Sequence, residues 1–123
     1  MANIMVVEDE DNIAIALDFL LSREGHDHTR LATGAGALDT IRKVRPDVVL
    51  LDIMLPDVSG YQILQDMRAD PELAEIRVLV MTARGAVVER RKGMALGADG
   101  FIAKPFELVE LRDELARLLK SEC

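Results

Sequence analysis

Asp47-Val48-Val49-Leu50-Leu51-Asp52, followed by Ile53-Met54-Leu55-Pro56-Asp57-Val58-Ser59-Gly60, decides how the chain folds. Val48 to Leu51 are apolar without alternation, so the segment reads as a strand covered on both faces. That is the pattern of a central strand in a parallel sheet. The strand ends on a carboxylate. A charge at the carboxyl end of a buried parallel strand lies where α/β sheets open their ligand crevice. Pro56 and Gly60 mark the next residues as a loop. Taken alone, Asp52 is equally an aspartate of the kind that turns favour, so the other strand ends must decide.

Moving outward, apolar runs and helical patterns alternate along the chain. Ile4 to Val7 form a short buried run that stops at Glu8-Asp9-Glu10-Asp11. A helix follows, with Asp11 or Asn12 as its cap and Ile13, Leu17, Leu20 and Leu21 at helical spacing, stopped by Gly25. His28 to Ala32 is a more polar strand, expected at a sheet edge. Thr33 is placed to cap a helix carrying Leu38, Ile41 and Val44, which ends before Pro46. After the Asp52 strand, Ser59 or Gly60 opens a helix with Ile63, Leu64 and Met67 on one face. Val78 to Met81 is a fourth buried strand, ending on Thr82. Residues 86 to 96 form a helix with a thin apolar stripe. Asp99 to Ala103 is the fifth strand, ending at Lys104-Pro105. Leu108, Leu111, Leu115, Leu118 and Leu119 mark the last helix. Five strands alternating with five helices predict an α/β, doubly wound, five-stranded parallel sheet with helices on both faces.

Composition sets the bounds. The 123 residues allow one domain, spanning 1–123, with a real core. A formal net charge of −7 argues against direct nucleic-acid binding and against attraction to anionic membranes. Cys123 is the single cysteine, so no internal disulfide forms and a reducing compartment is expected. No signal-peptide pattern precedes the first strand, and no apolar run approaches the length of a membrane span. A cytoplasmic protein is the expectation. His26 and His28 lack partners at ligand or triad spacing and read as surface residues. The internal methionines, Met54 and Met94 among them, read mostly as core filler.

The carboxyl ends of parallel strands share one edge. Gathered there are Glu8 and Asp9, Asp52, Thr82 and Lys104. Clustered carboxylates resist joint ionisation unless a cation neutralises them. A hard, oxygen-seeking ion such as Mg²⁺ suits the set, and no histidine or second cysteine stands by to favour zinc. A carboxylate there could attack phosphorus, while Mg²⁺, the lysine ammonium and the threonine hydroxyl hold the phosphoryl oxygens. A nucleotide would need glycines and free amides after the first strand; four acids stand there instead. Against this, Glu8 to Asp11 could be a solvated helix start, Thr82 a cap, and Lys104 a snorkelling surface charge.

Jointly, Val6-Val7-Glu8-Asp9-Glu10, Leu50-Leu51-Asp52-Ile53-Met54-Leu55-Pro56, Met81-Thr82-Ala83 and Lys104-Pro105-Phe106 resemble the receiver domain of two-component response regulators. Thr82 lies 30 and Lys104 lies 52 residues after Asp52, and the likeness runs over residues 3 to 120. The resemblance implies a flavodoxin-like sheet of order 2-1-3-4-5. It implies a phosphoacceptor signalling domain, not an enzyme, that assists its own Mg²⁺-dependent phosphorylation and dephosphorylation. Asp52 would accept a phosphoryl group from a histidine kinase or histidine phosphotransfer protein. Glu8, Asp9, Asp52 and the Met54 carbonyl would hold Mg²⁺, while Thr82 and Lys104 would contact the phosphoryl group. Pro105 would follow a cis peptide bond. Thr82 and Phe101 would form a switch, and the face of helix four, strand five and helix five would meet a downstream protein or a fused output domain. Met54 and Arg84 are expected beside the approach to Asp52. The chain departs from the family's common pattern at Glu8, at Gly100 where an acid is common, and at Glu114. The DNA-binding subclass that dimerises through this face often carries arginine at the last position. A Mg²⁺-dependent phosphatase would typically carry a second aspartate where Met54 stands. A phosphorylation-independent binding module would not need the intact acid, threonine and lysine set.

Overall fold

The computed structural model describes residues 2–83 and 86–120. The elements run β1 (Asn3–Val7), α1 (Asp11–Arg23), β2 (Asp27–Leu31), α2 (Ala37–Val44), β3 (Val48–Asp52), α3 (Gly60–Ala69), β4 (Arg77–Thr82), α4 (Ala86–Ala95), β5 (Gly100–Ala103) and α5 (Leu108–Lys120). All strand pairs are parallel, in the order β2-β1-β3-β4-β5. The doubly wound order expected from the sequence is therefore present.

The unbroken apolar run of β3 has a direct cause. Successive side chains leave a strand on opposite faces, and both faces are covered. Val48 and Leu50 join a core with Leu17, Leu20 and Leu21 of α1 and Leu111, Leu115 and Leu118 of α5. Val49 and Leu51 join a second core with Ile41 of α2 and Ile63, Leu64 and Met67 of α3. Every residue of β3 is buried, and each Leu or Val so enclosed stabilises the fold by about 1.5–3 kcal/mol. Polar β2 takes the edge, with none of its five residues fully buried.

Local expectations failed where distant contacts intervene. Helix α2 begins at Ala37, not after a Thr33 cap. The amides of Gly34 and Ala35, which a helix start would leave open, donate instead to Asp57 at 2.9 and 2.8 Å. Gly36 then turns the chain with φ of 76°. Helix α1 is capped at Glu10 without a side-chain bond, and Asp11 pairs with Arg30. His28 is mostly enclosed and bonds Asp18, so it is not a partnerless surface residue. His26 Nδ1 accepts from the Ala2 amide. Met54 and Met94 are exposed and fill no core.

Helix α4 is as thinly anchored as its sequence suggests. Val87, Val88 and Met94 are exposed, and Gly93 is what packs toward Val80 and Ala98. The Tyr61 hydroxyl of α3 donates to Glu89, and its ring faces the Lys92 ammonium at 4.4 Å. Among the described residues, no helix is long and apolar enough to cross a membrane.

Candidate functional site

Strand register assembles the site. Val7 pairs with Leu51, so Glu8, one residue on, arrives beside Asp52. Asp52 pairs with Met81 and Thr82 with Ala103. The Lys104 amide donates to the Thr82 carbonyl at 2.8 Å, which carries the ladder one step further and puts the lysine at the same edge. The loop after β3 folds back tightly. The Gly60 amide donates to the Ile53 carbonyl at 3.1 Å, and a β-carbon at Gly60 would meet the Asp52 carbonyl oxygen at 2.4 Å. Glycine is thus required at the start of α3 by close approach of backbone to backbone. Ser59 caps the helix by accepting from the Tyr61 amide.

Among the described residues, Glu8, Asp52 and Thr82 are the buried polar ones, and Asp9 is partly exposed. Carboxylate oxygens of Glu8, Asp9 and Asp52 lie within 4.8 Å of one another. Asp52 Oδ1 accepts from the Met54 amide at 3.0 Å. Lys104 does not snorkel: its side chain is 6% exposed, with Nζ at 2.7 Å from Glu8 Oε1 and 3.3 Å from Asp52 Oδ2. Glu8 Oε2 accepts from the Glu10 amide at 3.0 Å. Glu8 Oε1 is enclosed, with the Lys104 ammonium as its close partner. The Lys104–Pro105 peptide is cis. A cavity of about 460 Å³ opens beside Lys104, lined also by Asn12, Ile13 and Phe106.

The charges do not balance. Burial raises the Glu8 carboxyl to about 7; the charge of Asp52 pushes the same way, and Lys104 and the Glu10 amide pull it back. Burial lowers the Lys104 ammonium, but the carboxylates of Glu8 and Asp52 outweigh it and the net shift is upward. One ammonium is shared by two enclosed carboxylates, with a third acid at the rim. The donor set is all oxygen, and its carboxylates outnumber the one ammonium beside them. Both features fit a hard divalent cation.

The structure brings together Glu8, Asp9, Asp52 and Lys104, with Thr82 at the neighbouring strand end. Thr82 lies on the sheet face that carries Val78 and Val80, and Phe101, half-buried in β5, packs against that same core. Met54 is exposed beside Asp52. Arg84 lies outside the described residues. Two neighbours escaped sequence reasoning. Arg30 of β2 reaches the Glu8 carbonyl, and Asp57 ties the loop after β3 to the loop after β2. A lone arginine in a polar strand and an acid in a loop give no periodic signal.

A family model described as the response regulator receiver domain matches residues 4–116. Sporulation initiation phosphotransferase F of Bacillus subtilis is 39% identical over 116 residues, covering 94% of this chain and 92% of that protein. Sensory transduction protein RegX3 of Mycobacterium tuberculosis is 35% identical over 98% of this chain, which spans 52% of that relative. The chain thus spans about half the length of several curated relatives it matches. Among solved structures, the receiver domain of sensor histidine kinase PA1611 from Pseudomonas aeruginosa has a magnesium ion coordinated in its active site cleft. It superposes with a TM-score of 0.88 at 27% identity, covering 97% of this chain and 98% of that one.

Proposed function

Because the chain belongs to the response regulator receiver domain family, we propose that Asp52 is its phosphoacceptor and Lys104 and Thr82 its phosphoryl-contacting groups. Receiver domains are the phosphoacceptors of two-component signalling. The assignment to these residues is supported above all by Lys104 Nζ, held in an enclosed crevice between Glu8 and Asp52.

In this reading a carboxylate oxygen of Asp52 attacks the phosphorus of a phosphohistidine on a histidine kinase or phosphotransfer protein. The new P–O bond forms as the P–N bond breaks, and the departing imidazole nitrogen keeps the electron pair and takes a proton from solvent. Glu8, Asp9, Asp52 and the Met54 carbonyl would hold Mg²⁺, which when bound supplies charge neutralisation for the phosphoryl oxygens. Lys104 balances the same charge from the other side. Its ammonium already lies 3.3 Å from Asp52, so little reorganisation is needed when the phosphoryl group arrives. Thr82 offers a buried hydroxyl at the next strand end. The same groups would serve hydrolysis of the acyl phosphate, the sense in which the domain assists its own dephosphorylation.

The switch reading follows from packing. Thr82 and Phe101 sit toward one core, and α4 above it is held by a glycine and a tyrosine contact more than by apolar burial. Movement of Thr82 toward the phosphoryl group would let Phe101 repack and shift α4, since packed interiors prefer discrete arrangements. The face of α4, β5 and α5 would then meet a downstream protein or output domain, in the cytoplasm. Two departures from the family pattern meet on that face. Glu114 pairs twice with Arg117 at 2.9 Å, and a β-carbon at Gly100 would approach Glu114 Oε2 to 2.8 Å. This local arrangement favours a different partner over a dimer built on an arginine at position 114.

Acetyl phosphate tests the assignment. Intact-mass spectrometry should show one added phosphoryl group with Mg²⁺, none with EDTA, and none in Asp52→Asn. A modification that survives the substitution or ignores chelation would remove Asp52 from the role.

A further inference from the structure

Strand β2 lies at the sheet edge, so core packing does not call for an arginine at position 30. Its guanidinium nevertheless points toward the acidic loop. Nε and Nη2 both donate to the Glu8 carbonyl oxygen, at 3.0 and 2.9 Å. Nη1 lies 3.0 Å from Asp11 Oδ1. One residue further along β2, the Leu31 carbonyl accepts the Glu8 amide at 3.0 Å. Consecutive residues of one strand therefore hold both the N–H and the C=O of Glu8. The Asp11 carboxylate is 82% exposed, and a pair so placed contributes little. The forked contact is different: two donors on one carbonyl fix the plane of the Glu8–Asp9 peptide, and only a guanidinium presents two in that geometry.

We propose that Arg30 is a positioning residue for the metal-binding acids: its forked contact to the Glu8 carbonyl sets the Glu8–Asp9 peptide so that both carboxylates face Asp52. This rests on reading Glu8, Asp9 and Asp52 as Mg²⁺ ligands. Two effects of opposite sign separate a clamp from a mere charge. As a nearby cation Arg30 repels Mg²⁺, so removing it should tighten binding. As a clamp it holds the ligands in place, and losing it should weaken binding. Outer-shell partners of metal ligands are worth roughly ten- to a hundredfold in affinity. Lysine at this position would keep the charge and lose the fork.

Calorimetric titration of Mg²⁺ into wild type, Arg30→Ala and Arg30→Lys reads the sign. Thermal unfolding in EDTA shows that each protein is folded at the titration temperature. The clamp predicts about tenfold weaker binding in Arg30→Ala and several-fold weaker binding in Arg30→Lys. An alanine variant that binds as tightly as wild type or tighter overturns the proposal, whatever its melting temperature. A lysine variant at wild-type affinity overturns the forked contact as the cause. Wild-type binding that is absent, or indifferent to Asp52→Asn, is a separate failure: it removes the metal reading and the clamp with it.

Discussion

The two edges of this sheet hold polar groups in opposite ways. At the amino-terminal edge of β4 and β5, Arg68 donates four hydrogen bonds, to the carbonyls of Gly97, Ala74 and Ile76 and to Asp99. Asp99 also accepts from the Val78 amide at 2.9 Å. A β-carbon at Gly97, whose φ is 108°, would meet Arg68 Cγ at 2.9 Å, so the turn makes room for the latch. At the carboxyl-terminal edge, two enclosed carboxylates share one ammonium. One edge satisfies its charges and the other leaves them strained against each other. A satisfied cluster contributes stability. An unsatisfied one is costly to the fold and is held ready for a ligand that completes it.

Breaking the satisfied edge should have the largest effect on stability. Arg68→Ala removes four bonds at once and leaves Asp99 without its cation. Arg68 is partly exposed, so water can recover some of the loss, and a destabilisation of about 2 kcal/mol is expected. Phosphorylation by acetyl phosphate should be unchanged. Urea unfolding measures the first quantity, and a change below about 0.5 kcal/mol would show that the latch is ornamental.

The opposite sign is expected at the other edge. Asp52→Asn removes one of the two enclosed carboxylates beside Lys104, while the asparagine carbonyl can still accept the Met54 amide. Without Mg²⁺ the variant should be more stable than wild type by about 1 kcal/mol, because like-charge repulsion with Glu8 is relieved. Added Mg²⁺ should narrow or reverse the gap, since a ligand stabilises the state that binds it. A variant less stable than wild type in EDTA would mean that the edge is not frustrated.

The same contrast explains what the sequence reveals. Lys104, Asp52 and Glu8 are legible because each follows a buried apolar run, and parallel topology sends all such ends to one place. The cores are legible for the same reason: β3 is apolar from Val48 to Leu51 because it faces α1 and α5 on one side and α2 and α3 on the other. Arg68, Arg30 and Asp57 are not legible. Each works by reaching backbone carbonyls or amides far along the chain, and a backbone target leaves no mark on residue type. The start of α2 is misread through the same blindness. Thr33 is a good cap by local rules, but Asp57 takes the amides that would have opened the helix. Met94 is misread because α4 approaches the sheet through Gly93, where pattern alone expects a methionine to be buried.

Asp57 gives the finest test, because it is a satisfied acid on the unsatisfied edge. The Gly34 amide does most to hold its carboxyl below the ordinary 3.8; slight burial opposes this, and the Ala35 amide adds to it. A carboxyl depressed in the folded state contributes stability that is fully present above its unfolded value. That stability is lost as pH falls below 3.8 and through the lower folded value. Asp57→Asn keeps one acceptor oxygen but no charge. It should therefore be slightly less stable than wild type at neutral pH, and the two should converge as pH is lowered from about 5 to about 3. Glu8, raised by burial to about 7 from 4.5, shifts stability with the opposite sign as pH falls, and being present in both proteins it cancels from their difference. Melting temperatures of the two proteins at several pH values decide the matter. A gap that stays constant or widens toward acid would show that the Gly34 and Ala35 amides gain nothing from the charge, and that the two loops are tied by shape alone.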